Sequence, residues 1–378
     1  MYVPAWPGLC PADLLRSPST AERPFPFNAP HRAYFYRARN AIYHLFRALR
    51  FRGDETVLVP DYHSGNEVWA IRAAGASLRY YPIKRNLEPD LDALARLCRS
   101  GARALFVIHF LGWPQPLKEL GQLCREHGML LIEDCALALF SAAGGQPLGT
   151  FGDYAVFCLY KTLPVPNGGL LVQNGRVLEE LAGLTLQPAG AASVAGRSLE
   201  LMCEWIRARA DASGKAAFAL KRAFGRALTA LGVERVPVGD IGFDLASVDL
   251  AMAALSTRLL RRFDSDAIQQ TRRANFELLQ HRLRGRAALV FEALDEGICP
   301  LFFPLLVPDK HGAAQALWRR GIGAVEFWNH GDPEARGGGF EDAQFLRDHV
   351  LELPIHQDVG TAQVEYMADQ VLRLQLHF

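Results

Sequence analysis

The chain reads as an α/β protein: a mainly parallel sheet with helices on both faces, followed by a smaller C-terminal α/β domain. Short apolar runs alternate with helical stretches over the first half of its 378 residues. These runs are continuous rather than alternating polar and apolar, as strands buried on both faces must be. Half of the residues are hydrophobic and the formal net charge is +1, which is enough apolar material for a core split over two domains.

Taken in order, residues 1–30 form an arm. Its sequence, MYVPAWPGLCPADLLRSPSTAERPFPF, is proline-rich and has no apolar stretch long enough for a signal peptide or membrane helix. It is expected to run extended across the body or a partner. A large domain spans 31–245. Helix 40–50 leads to strand 56–59, helix 65–74 to strand 78–81, helix 90–99 to strand 104–109 and helix 116–127 to strand 129–133. Strands 154–159 and 169–173 follow. Helices between strands are what a parallel sheet requires, because each strand must be reached by a crossover. The segment 176–232 is helical and Ala/Arg-rich, the pattern of a solvated basic face. Residues 246–378 comprise a linking helix (246–284) carrying Arg258, Arg261, Arg262, Arg272 and Arg273, and a small domain. The small domain is read as a strand at 301–307, a helix at 310–320 closed by Gly321, and a final helix from about 361.

The near-neutral charge balance points to neither nucleic acid nor an anionic membrane. Seven cysteines without regular spacing favour a reducing compartment, so a cytoplasmic location is expected. No CxxC pair or His-rich cluster indicates zinc, and no metal is expected.

Chemistry enters at Lys161. Lysine is rare here, at six positions only. Five of them lie among polar or helical surface residues, whereas Lys161 ends the apolar run that begins at Tyr154. A buried amine is pushed toward its neutral, nucleophilic form, the state that forms Schiff bases. The alternative is a lysine at a strand exit that reaches back to water. Asp134 ends the run Met129 to Asp134, at the carboxyl edge where open α/β sheets hold ligands. A strand-end Asp, a strand-end Lys and an upstream helix N-terminus are the fixtures pyridoxal phosphate needs for its ring nitrogen, aldehyde and phosphate. For Asp134 alone, a helix cap is the competing role.

Five stretches carry a resemblance: VLVPDYHSGNEVWAIRAAGA (57–76), VIHFLGWP (107–114), LLIEDCALA (130–138), GTFGDYAVFCLYKTLPVPNGGLLV (149–172) and VLELPIHQDV (350–359). Together they resemble the DegT/StrS-like sugar aminotransferases, from about residue 35 to the end of the chain. The resemblance implies a fold type I pyridoxal phosphate enzyme with a seven-stranded-type sheet. It also implies a homodimer with a shared active site, moving an amino group from an amino-acid donor to a keto-sugar, usually nucleotide-linked.

Carried over by position, Lys161 matches the Schiff-base lysine, Asp134 the partner of the ring nitrogen and Ala136 the small residue on one ring face. Cys158 stands where a phosphate-binding Ser is common, and Ala38 and Arg39 stand at the phosphate-binding helix start. Departures accompany these matches. Leu137 replaces a Gln or His near the cofactor's phenolic oxygen. Asp244 replaces an Asn that reaches the partner's phosphate, and Ala246 replaces an Arg. A carboxylate there calls for Arg39 to lie between it and the phosphate. Ser64 replaces a ring-stacking aromatic, leaving Tyr62 or His63 to take that place. Phe327, Trp328 and His330 fall where the family keeps an aromatic and a His facing the substrate. His109 is a further candidate at a strand end, with a structural role as the alternative. Glycines 337–339 give their loop freedom to close over a ligand. The losses at Leu137 and Ala246 leave two alternatives to transamination: a lyase or cyclase type of reaction on an amino-acid-like substrate, and a catalytically silent cofactor-binding protein.

Overall fold

The computed structural model describes residues 1–17, 22–210, 241–336 and 339–376. Its main sheet has seven strands: β1 (Arg32–Phe35), β2 (Thr56–Pro60), β3 (Ser77–Tyr81), β4 (Ala104–Ile108), β5 (Leu130–Asp134), β6 (Tyr154–Cys158) and β7 (Gly169–Gln173), in the order β1-β7-β6-β5-β4-β2-β3. The run β3, β2, β4, β5, β6 pairs parallel. Strand β7 is antiparallel to both β6 and β1. The reversal has a simple cause: the 163–168 connection is too short for the crossover of about a dozen residues that a parallel neighbour needs. Sequence pattern missed β1 because only Phe35 of its four residues is buried, so no continuous apolar run marks it.

Helices α1 (Ala38–Ala48), α2 (Asn66–Ala73), α3 (Leu91–Cys98) and α4 (Leu117–His127) connect these strands. Local chemistry sets their ends. Asp90 accepts from the Ala93 amide to start α3, and Gly128 takes the left-handed conformation (φ 64°) that closes α4. A single turn, α5 (Leu159–Thr162), follows β6. Beyond β7 lie α6 (Ala191–Arg209) and α7 (Ala254–Leu259). Residues 211–232 of the segment read as helical lie outside the described residues.

The predicted helix 246–284 is two helices. Asp264 accepts hydrogen bonds from the amides of Asp266 and Ala267 and so starts α8 (Ser265–Leu283) afresh. Just before it, Arg262 turns aside to the carbonyls of Asp13 and Leu14. The C-terminal lobe pairs Ala288–Leu289, β8 (Phe302–Leu306) and β9 (Val350–Pro354) antiparallel, with α9 (Lys310–Arg319), α10 (Glu341–His349) and α11 (Thr361–Arg373) around them. Its core joins Phe276, Leu279, Phe303, Leu353 and Met367 with Val3 from the arm. Lys310, read from sequence as a surface residue, is only 5% exposed. Among the described residues no helix is long and apolar enough to cross a membrane.

Candidate active site

The carboxyl ends of β4, β5 and β6 open into a cavity of about 490 Å³. Strand register brings Ile108 beside Asp134, and both line the cavity with Cys158. Asp134 accepts the Ala136 amide at 2.8 Å through Oδ1. Burial pushes its carboxyl up to about 7; Glu67 pushes the same way and the Lys161 ammonium pulls down. Ala136 and Leu137 lie on the same wall.

Lys161 sits in α5, and its Nζ lies 5.5 Å from the centroid of the Phe327 ring. The backbone beside it is fixed from the C-terminal lobe: the Thr162 carbonyl accepts from Arg272 at 3.3 Å and from Gln357 at 3.0 Å. The same buried guanidinium holds the Leu301 carbonyl at 2.9 Å.

At the other end, Ala38 and Arg39 open α1 with no side-chain cap and no acidic residue in the first turn, and both line the cavity, a setting that favours an anion. Gly169 permits this placement: a Cβ there would lie 2.6 Å from the Ala38 nitrogen. Arg39 donates to the Gly242 carbonyl, and Asn66 accepts the Gly242 amide at 3.0 Å. Burial raises the Cys158 thiol, against the pull of the Lys161 charge and the nearby Tyr160 hydroxyl.

Several predicted residues stand elsewhere. Tyr62 and His63 do not line this cavity. Tyr62 packs under Trp328, with ring centroids 4.7 Å apart, and His63 stacks on Tyr80. Ser64 faces the cavity instead, its amide and hydroxyl both given to Glu67. His109 points to the opposite side of the sheet. Successive side chains alternate along a strand, so while Ile108 and Asp134 face the cavity, His109 meets Glu133 at 3.0 Å. Glu133 is itself committed to the amides of Gly149, Phe151 and Gly152. Asp244 is not paired with Arg39; it is exposed and accepts the Ala246 amide at 2.9 Å.

The outer wall is the 325–330 loop, which presents Phe327, Trp328, Asn329 and His330. Trp328 holds a left-handed φ of 57°, a strained state for a bulky residue. Three charged residues hold the loop from beneath. Lys310 donates to the carbonyls of Phe327 and Arg347 at 2.7 and 3.0 Å. Glu352 accepts the Phe327 amide at 3.1 Å, and Arg347 donates to the carbonyls of Trp328 and His330 at 2.8 and 2.6 Å. Sequence reasoning missed this clamp, and it missed Trp6 and Glu67, which also line the cavity. The one signal for Trp6 was an aromatic set between Pro4 and Pro7 in the arm. Of glycines 337–339, the first two lie outside the described residues.

A mostly parallel seven-stranded sheet with a smaller lobe is the fold this chain shares with solved sugar aminotransferases. Residues 35–372 match the DegT/DnrJ/EryC1/StrS aminotransferase family, and the chain belongs to it. It is 33% identical over 130 residues to GDP-perosamine synthase of Vibrio cholerae, which takes in 34% of this chain and 35% of that protein. It is 36% identical over 121 residues to dTDP-4-dehydro-2,3,6-trideoxy-D-glucose 4-aminotransferase of Saccharopolyspora spinosa, 31% of each. These matches thus span about a third of the length of the curated relatives. The fold is shared over 99% of both chains with Helicobacter pylori PseC, an aminotransferase involved in the biosynthesis of pseudoaminic acid, at TM-score 0.69 and 15% identity.

Proposed function

We propose that this protein is a pyridoxal phosphate-dependent aminotransferase, moving an amino group from an amino-acid donor to a keto-sugar, nucleotide-linked as in the relatives' names. The reading rests above all on one juxtaposition: Lys161 and Asp134 line the same cavity as the uncapped start of α1.

The cavity's own chemistry fits the cofactor. Asp134 is buried with one oxygen on the Ala136 amide, and a protonated ring nitrogen would supply the positive charge that burial calls for. The open first turn of α1, with Arg39 and Cys158, would take the phosphate, and Ala136 leaves room against a ring face. When bound, pyridoxal phosphate supplies the electron sink for breaking a C–H bond beside nitrogen. The chain supplies the rest. Lys161 would hold the cofactor's aldehyde, and its Nζ would carry the proton that transamination moves. Asp134 would keep positive charge at the ring nitrogen, and the Phe327 ring would cover one side of the amine. A second copy of the chain would cover the 241–246 segment, where Ile241 is 56% and Leu245 57% exposed at the phosphate end.

Borohydride reduction followed by peptide mapping should place the reduced adduct on Lys161, and L-glutamate or L-glutamine should convert the bound cofactor to its amine form. An adduct on any other lysine, or none, overturns the reading. Leu137, buried in the wall where the family carries a polar residue, favours a second reading: a lyase or cyclase type of reaction. That reading predicts loss of the amino-acid substrate without formation of the amine form.

A further inference from the structure

Trp6 reaches the cavity from outside every element that builds the cofactor end. The arm that carries it is set into the C-terminal lobe. Val3 donates to the Gly321 carbonyl at 2.9 Å and accepts from the Gly323 amide at 2.8 Å; Gly8 donates to Asp358 at 2.8 Å. Glycines mark how closely the backbones approach. A Cβ at Gly321 would lie 2.6 Å from the Met1 oxygen, one at Gly323 2.5 Å from the Ala5 nitrogen, and one at Gly8 2.5 Å from the Trp205 nitrogen. The left-handed φ of 80° at Gly321 adds to that demand. Such an arm is part of the wall.

At the cavity wall, Trp6 meets two rings edge-on: Phe302, buried behind the wall, at 5.1 Å between centroids, and Phe327, which lines the cavity, at 6.0 Å. Phe327 is the ring beside the Lys161 amine. From the Lys161 amine the wall runs along Phe327 to Trp6, so a ring-sized substrate that reacts at the amine and extends along this wall reaches Trp6, whereas a short acyclic one stays beside Phe327. Trp318 and Trp328 add further rings to this part of the lining, alongside Glu326, Asn329 and His330, and beyond Lys161 it contains no lysine or arginine among the described residues. Flat apolar faces without cations suit the C–H face of a saturated ring and offer a phosphate nothing.

We propose that Trp6 is a specificity-determining residue that receives the ring of a cyclic carbonyl substrate and leaves an acyclic amino-acid donor untouched. This rests on the transamination reading, and it separates the two half-reactions. The test uses the full chain loaded with cofactor, with L-glutamate as the acyclic probe and dTDP-4-keto-6-deoxyglucose as the cyclic one, each half-reaction followed by cofactor absorbance. Trp6→Ala should weaken the apparent affinity for the keto-sugar about tenfold, the size of a lost aromatic contact of one to two kcal/mol, and should leave the L-glutamate half-reaction within about twofold. Trp6→Phe should restore the keto-sugar to within about threefold, whereas Trp6→Leu, which keeps bulk without a ring face, should behave as Trp6→Ala. Equal effects on both half-reactions, or none on the keto-sugar, overturn the proposal. If neither probe reacts, transamination of these probes fails, and calorimetric binding of the keto-sugar still decides the point. A loss of affinity in Trp6→Ala supports the ring subsite; unchanged affinity, or no binding by the unaltered protein, overturns it.

Discussion

Lys161 and Lys310 approach the same loop from opposite sides and are held in opposite ways. Lys310 is buried beneath the 325–330 loop with two carbonyls on its amine. Lys161 is above it, half-buried, its Nζ over the Phe327 ring and, among the described residues, without a hydrogen-bond acceptor. An ammonium whose N–H groups are committed to backbone carbonyls is a strut. One that faces a ring and an open cavity keeps its lone pair available once deprotonated. Burial alone does not make a lysine reactive; what distinguishes the two is whether the surroundings already use the amine.

The largest expected contrast comes from removing each in turn. Lys161→Ala should cut turnover by about four orders of magnitude, as loss of a nucleophile does, with unfolding free energy changed by less than about 1 kcal/mol. Lys310→Ala should do the reverse. It strands two carbonyls and the buried Glu352, a change that costs about 3 kcal/mol, and the reduced adduct on Lys161 should persist. Denaturant titration and adduct mapping on both variants check this. If Lys310→Ala folds with normal stability and loses the adduct, the two roles are wrongly assigned.

Next in size is Asp134→Asn. The shape is kept and the charge removed, so turnover should fall about a hundredfold or more, as when a fixed group serving a buried charge is lost. Cofactor content, measured by absorbance, should fall much less. Near-normal turnover would reduce Asp134 to a cap for the Ala136 amide.

Why one lysine was legible and the other not is a matter of distance along the chain. Lys161 ends a continuous apolar run, and Asp134 ends another; strand ends of a parallel sheet gather at one edge, so local pattern was enough to bring the two together. Lys310 follows Pro308 and Asp309 and precedes His311, a polar start to a helix whose burial depends on β9 and the Phe327 loop arriving from elsewhere. His109 lies away from the cavity for a related reason: strand alternation settles which face it takes, and the pattern fixed the strand without fixing which face bears the cavity. Trp6 depends on contacts more than 290 residues away in sequence, at Phe302 and Phe327, which no local pattern encodes. The helix at 246–284 was read through its break because Asp264 works as a cap only when its side chain turns to the next two amides.

A pH measurement sharpens the strut side. Burial pushes the Glu352 carboxyl from 4.5 to about 7, with Lys310 as the chief charge pulling it down. A carboxyl raised in the folded state contributes stability that is fully present below its unfolded value and is lost as pH rises through the folded one. The unfolding free energy should therefore decline between about pH 4.5 and pH 7. Glu352→Gln should flatten that decline, and Lys310→Met, which removes the nearby cation, should carry it to higher pH. A slope unchanged in Glu352→Gln would show that the pair is not what titrates.

The smallest effect lies at the phosphate end of the Lys161 side. Cys158 ends β6 and lines the cavity, and burial raises its thiol, so near neutral pH it is an uncharged S–H. A thiol donates weakly, a hydroxyl well. Cys158→Ser can keep the Tyr160 partner, so protein without cofactor should change stability by less than about 0.5 kcal/mol. With cofactor, a hydroxyl aimed at a phosphate gains about 1 kcal/mol, or roughly fivefold slower loss during dialysis against a carbonyl scavenger. The same replacement beneath the loop, where polar groups already have partners, would gain nothing. Unchanged retention in Cys158→Ser would mean that this thiol faces Tyr160 alone and that the phosphate is held by the α1 amides and Arg39 without it.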